Sequence, residues 1–147
     1  MTNEKRSTVS IMTNVERAKI LINDARDYKA EAENAFKENK WNRSIRRAQE
    51  TVELYLKGIM KLINIEFPKV HDIGKFLVKE LEKKGKKLPE EVANRIIEIS
   101  SMLAEKRAPA FYREEEYSRE DAREAIEGMR FVSRIAEKLL TELSHEQ

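Results

Sequence analysis

Two histidines, His71 and His145, and no cysteine leave this 147-residue chain few ways to do covalent or metal chemistry. Absent cysteine excludes disulfides, thiolate zinc sites and cysteine nucleophiles. Two isolated histidines argue against a metal site, and no motif points to a cofactor. Chemistry has to come from arginine, tyrosine, carboxylates and His71. The stretch EKRAPAFYREEEYSRED, Glu105 to Asp121, gathers the strongest candidates, Arg107, Tyr112 and Arg113. A planar guanidinium takes phosphate oxygens in pairs, and an aromatic ring stacks on any base. Those three residues are therefore candidates for nucleotide or RNA binding. The plainer alternative makes Arg107 a cation that satisfies helix C-terminal carbonyls, with Tyr112 packed under a loop. The run Glu114-Glu115-Glu116 counts against a phosphate surface there, because it repels anions unless it is paired.

His71 invites an acid-base role beside Asp72. Neighbouring residues do not face each other on a helix, so a hydrogen bond that fixes the turn after Pro68 is the simpler reading. Arg107, Tyr112 and His71 remain the candidates for catalysis. Glu50, Glu53 and Lys57 form a charged set in which Glu53 and Lys57 stand at the favourable i, i+4 spacing, the mark of salt bridging. Arg43, Arg46 and Arg47 crowd a helix start, where positive charge opposes the dipole. Acids of the preceding helix are the expected compensation.

These residues sit in a chain built for helices. Apolar residues recur at three- and four-residue spacing from Val15 to about Glu38, and again from Ile45 through Ala48, Val52, Tyr55, Leu56, Ile59 and Ile63. The second stripe is wide enough to make that helix central. Gly58 lies within it, and a close approach by another helix is the expected reason. Glu66-Phe67-Pro68 breaks the chain. A short helix follows with Val70, Ile73, Leu77 and Leu81 inward, ending at Lys83-Lys84-Gly85. Pro89-Glu90-Glu91 opens the next, which carries Val92, Ile96, Ile99 and Leu103 inward and is expected to stop at Pro109. Ser118, with Asp121 three residues on, starts the last helix. Its stripe runs from Ala122 to Leu143, with Phe131 and Ile135 well to one side. That pair either extends the core or marks a self-association surface.

The expectation is an all-α, five-helix antiparallel up-and-down bundle: a flexible polar tail over residues 1–13, then one domain over 14–143. No apolar run is long enough to cross a membrane, and the N-terminus lacks a secretory core, so a cytoplasmic protein is expected. The 29 basic and 27 acidic residues nearly cancel, unlike the basic excess of a protein that coats duplex DNA.

Three short motifs stand in order: AQE-x-x-E-x-YLKG from Ala48, P-K-x-HDI from Pro68, and Y-S-x-EDA from Tyr117. Together they resemble the HEPN family, the higher eukaryotes and prokaryotes nucleotide-binding domain, over roughly residues 14 to 143. The resemblance implies a helical bundle that forms homodimers with a groove at the interface. Many such domains are RNA-cleaving toxins, and small prokaryotic ones often pair with a minimal nucleotidyltransferase encoded beside them. The cleaving members carry an arginine followed, after four to six intervening residues, by a histidine near that groove. In one type of pair the partner modifies a tyrosine just past that histidine. Here Arg107 is followed by Ala-Pro-Ala-Phe and then Tyr112, with no histidine to complete the motif. Neither His71 nor His145 has an arginine at that spacing. An unperturbed tyrosine, with pKa near 10, is a poor base for a 2′-hydroxyl. The resemblance therefore points to a nucleotide- or RNA-binding accessory module with a degenerate nuclease motif, working with a nucleotidyltransferase. An active ribonuclease using Arg107 and a purely structural protein-interaction domain are the alternatives.

Overall fold

The computed structural model describes residues 12–145. Five helices make up the described chain: α1 (Asn14–Lys37), α2 (Trp41–Leu62), α3 (Gly74–Lys83), α4 (Glu90–Tyr112) and α5 (Arg119–Ser144), with no strand among these residues. Most of the expected N-terminal tail, residues 1–11, lies outside them. Thr13, placed in that tail by sequence, instead caps α1. Its hydroxyl accepts from the Glu16 backbone N–H at 3.1 Å and its own N–H donates to the Glu16 carboxylate at 3.0 Å. The expected cap on α5 forms the same way between Ser118 and Asp121. Both close orphan donors at a helix start.

Helix α2 is the axis of the bundle and touches all four others, as the width of its apolar stripe requires. Ile45, Ala48, Ile59 and Met60 are fully buried on it. The three-residue connection from α1 lays those two helices side by side, and Gly58 is where they meet. A β-carbon there would stand 2.5 Å from Ile22 Cδ1 and 2.9 Å from Cγ1. Across the far side, Arg26 of α1 grips Glu137 of α5 through two bonds of 2.8 Å, and the buried Tyr55 of α2 donates its hydroxyl to the same carboxylate at 2.7 Å. The bond from Arg26 is the main reason the Glu137 carboxyl titrates below its ordinary range.

Two sequence expectations need correction. Val70 does not face inward. It is 48 % exposed, because α3 begins only at Gly74 and the Pro68–His71 segment stays irregular. Nor does α4 stop at Pro109. The helix continues to Tyr112, and Arg113 follows in the left-handed conformation with φ 57°. Proline removes one intrahelical donor, but its fixed φ suits a helix, and here it lies in the last turn. Its carbonyl closes the helix end by accepting from the Glu114 N–H at 3.0 Å. The stretch Glu105–Tyr112 is therefore helical, and the connector shrinks to a few residues before Ser118.

Asn42, near the start of α2, holds that connector. Its amide donates to the carbonyls of Ala110 at 3.3 Å and Glu115 at 2.7 Å, and its oxygen accepts from the Tyr117 N–H at 2.9 Å. One buried side chain thus satisfies three backbone groups and fixes the end of α4 against the central helix.

Candidate functional site

The charged face of α2 is built around Glu53, whose side chain is 13 % exposed. One carboxylate oxygen accepts from Lys57 at 2.6 Å; the other accepts from the Gln49 amide at 2.9 Å and lies 2.8 Å from His71 Nδ1. Burial pushes this carboxyl up, yet the bonds from Lys57, Gln49 and His71 outweigh it and hold it below its ordinary range. Glu53 is accordingly an anion at neutral pH and can only accept, so His71 turns Nδ1–H toward it. No described residue bonds to Nε2.

His71 can reach Glu53 because its neighbours are clamped to α4. The Ser100 hydroxyl donates to Asp72 at 2.7 Å and accepts from the Gly74 N–H at 3.0 Å, while Ile73 is fully buried. A β-carbon on Gly74 would stand 2.7 Å from Ser100 Cβ, so only glycine admits this close seating. His71 itself stays half-exposed at 52 %. It makes a hydrogen bond, as expected, but with a carboxylate eighteen residues away rather than within its own turn.

One turn back on α2, Glu50 collects cations. Arg47 Nη1 lies 2.8 Å away, with Arg46 Nε and Arg107 Nη2 each at 3.9 Å. Arg47 also reaches Glu31 of α1 at 3.1 Å and covers the Tyr28 ring, which is the compensation expected for the basic helix start. Arg107 is held more loosely. At 3.9 Å its pairing with Glu50 is longer than a hydrogen bond, and its buried Nε–H has no partner among the described residues. Asp24, Tyr28, Glu50, Glu53, Leu54, His71 and Arg107 together line an open cleft of about 220 Å³.

Arg107 and His71, far apart in sequence, thus meet in one cleft. Tyr112 and Arg113 do not line it. Tyr112 is 72 % exposed at the end of α4, its ring 4.9 Å from that of Phe111, which Arg46 of α2 covers at 4.5 Å. Arg113 pairs with Glu116 at 3.0 Å and lines a separate cleft with Lys40, Trp41, Arg43 and Tyr117. Glu116 of the acidic run is therefore paired. Phe131 and Ile135 are half-buried against the core, and Phe131 lies under the guanidinium groups of Arg95 and Arg134.

Sequence reasoning missed Asp24 and Tyr28 as walls of the cleft and Glu53 as the partner of His71. A signal existed for the walls: Asp24 and Tyr28 stand four residues apart, on one face of α1. Nothing local linked Glu53 to a histidine beyond the helix break.

This is a five-helix bundle in which Glu50 and Glu53 of the central helix share a cleft with Arg107 of α4 and with His71. The HEPN domain model matches residues 18–139, and the chain belongs to that family. Among solved structures it is similar to the crystal structure of TT1696 from Thermus thermophilus, with a TM-score of 0.67 and 21% identity over 83% of this chain and 97% of that one. Identity at that level speaks for the shared fold. No curated protein sequence gives a significant match.

Proposed function

We propose that the chain is a nucleotide- or RNA-binding module that takes a phosphate on Arg107 in the α1–α2–α4 cleft. One observation carries this reading: Arg107 shares its cleft with His71, and its nearest acid stands 3.9 Å away, leaving guanidinium donors unspent. An arginine committed to structure would make the short, two-pronged pair that Arg26 makes with Glu137. Phe111 and Tyr112 supply an exposed ring pair at the end of the same helix, on which a base can stack, and Arg113 adds charge beyond them. The module works as a homodimer, with the half-exposed edges of Phe131 and Ile135 in the interface. It acts with a separately encoded minimal nucleotidyltransferase as a toxin–antitoxin-like pair.

Fluorescence anisotropy with labelled single-stranded RNA and with a labelled adenine nucleotide tests the binding. Arg107→Ala should weaken affinity about tenfold or more, the scale of a lost charge-assisted phosphate contact. Wild-type affinity in that variant would remove Arg107 from the site.

A further inference from the structure

The end of α3 and the connector after it carry four lysines in five residues, Lys83, Lys84, Lys86 and Lys87 around Gly85. Neither the packing of the bundle nor the Arg107 cleft uses this cluster. Its backbone is tightly built. Gly85 takes the left-handed conformation at φ 77° and its N–H donates to the Glu82 carbonyl at 3.0 Å. The Lys86 N–H donates to the Leu81 carbonyl at 2.8 Å. Together these bonds make the Schellman closure of a helix end, which fixes the direction in which the lysines leave α3.

The connector meets the C-terminal half of α5 across a groove of about 400 Å³, a size that suits a bound side chain or small ligand. The buried Leu88, Leu139 and Leu143, with the half-buried Val92, supply its apolar lining. Lys86, Lys87 and Lys138 supply the charge, against one acid, Glu142. Among the described residues no ion pair includes Lys87, Lys138 or Glu142. Cations elsewhere on the bundle are engaged by acids of neighbouring helices, as Arg26 is by Glu137 and Arg130 by Glu33.

We propose that this groove docks an acidic amphipathic segment of a partner protein, which sets apolar side chains on the leucine floor and carboxylates on Lys87 and Lys138. Charge complementarity decides the occupant. A second copy related by a two-fold axis would bring the same lysines against one another. An anionic bilayer takes up apolar side chains that project, and the exposed large apolar residues, such as Ile20 and Phe76, lie outside this groove. RNA would find no aromatic ring there to stack on. A recessed apolar floor framed by charge instead matches a helix laid in a groove, with anchors one turn apart. Ile135 belongs both to this groove and to the proposed dimer face, so the docked segment lies at the edge of that face.

The probe is a fluorescein-labelled amphipathic peptide with leucines on one helical face and glutamates on the other, titrated with the full chain and read by anisotropy. One control peptide scatters the leucines around the helix, and another carries lysine in place of glutamate. The first peptide should bind, more weakly as salt rises, and neither control should match it. Lys87→Glu combined with Lys138→Glu should weaken binding about tenfold or more. Both lysines are exposed, so the variant should fold, which a thermal melt checks. Methyl resonances of Leu88, Val92 and Leu139 should shift at saturation. Absent binding, equal binding of the scattered peptide, or unchanged affinity in the double variant overturns the proposal. Phosphatidylserine vesicles or single-stranded RNA that shift those methyls where the peptide does not would overturn it too, in favour of that occupant. None of these outcomes bears on the Arg107 reading, which Arg107→Ala tests separately.

Discussion

Arg107 and His71 were both visible in the sequence as residues that could do chemistry, but not as neighbours. Pairings in sequence are legible at helical spacing, as for Glu53 with Lys57 at 2.6 Å. The link from Glu53 to His71 crosses a helix break, where no period applies. Tyr112 and Arg113 looked equally apt because they follow Arg107 closely. The helix runs on to Tyr112, with Arg113 in the left-handed turn beyond it, and neither residue lines the cleft. Carboxylates set the limit on anion binding there. Glu50 and Glu53 have cations within 4 Å, whereas no ion pair includes Asp24 among the described residues. Asp24→Asn should therefore tighten RNA or nucleotide binding about two- to threefold, the order expected of one unit charge across a few ångströms in water. Anisotropy titration reads this, and weaker binding would mean that Asp24 serves the ligand rather than repelling it.

At the scale of elements, the helices and their buried stripes were plain from period alone, because four glycines and three prolines leave few places to break. The central role of α2 followed from the width of its stripe. Pro109 misled because proline usually ends a helix, yet a last turn tolerates it and Asn42 ties that turn to α2. Gly58 was correctly read as a close approach. Alanine there would gain about 1 kcal/mol of helix propensity. It would also force its methyl into Ile22, which is 5% exposed, and overpacking of this kind costs about 1–3 kcal/mol. Gly58→Ala should be net destabilising by about 1 kcal/mol, seen as a melting temperature lower by a few degrees. Adding Ile22→Val, which removes the clashing Cδ1, should recover part of the loss. A Gly58→Ala variant that melts higher than wild type would show that α1 and α2 do not meet this closely.

Across the whole molecule, near-neutral charge hides strong local pairing between helices: Arg26 with Glu137, Arg130 with Glu33, Arg47 with Glu31. Arg130 holds the Glu33 carboxyl, and Arg26 that of Glu137, below the usual range. Groups depressed in the fold add stability that is present above their unfolded value, about 4.3, and is lost as pH falls through the folded one. The melting temperature should therefore be flat from neutral pH to about 5 and decline below about 4, and a rise on acidification would contradict this pairing. Assembly is a separate matter at this scale. On the proposed homodimer, Phe131→Asp should lower the mass seen by light scattering from dimer to monomer, and a dimeric mass kept in the variant would place the interface elsewhere. Function turns on where a ligand sits. Titration of the isotopically labelled protein with short single-stranded RNA, followed by amide and arginine Nε–H resonances, locates it most directly. Shifts should centre on Asp24, Tyr28, Glu53, His71 and Arg107, extending to Tyr112. Shifts confined to the face around Trp41 and Tyr117, or none at saturating RNA, would contradict this placement.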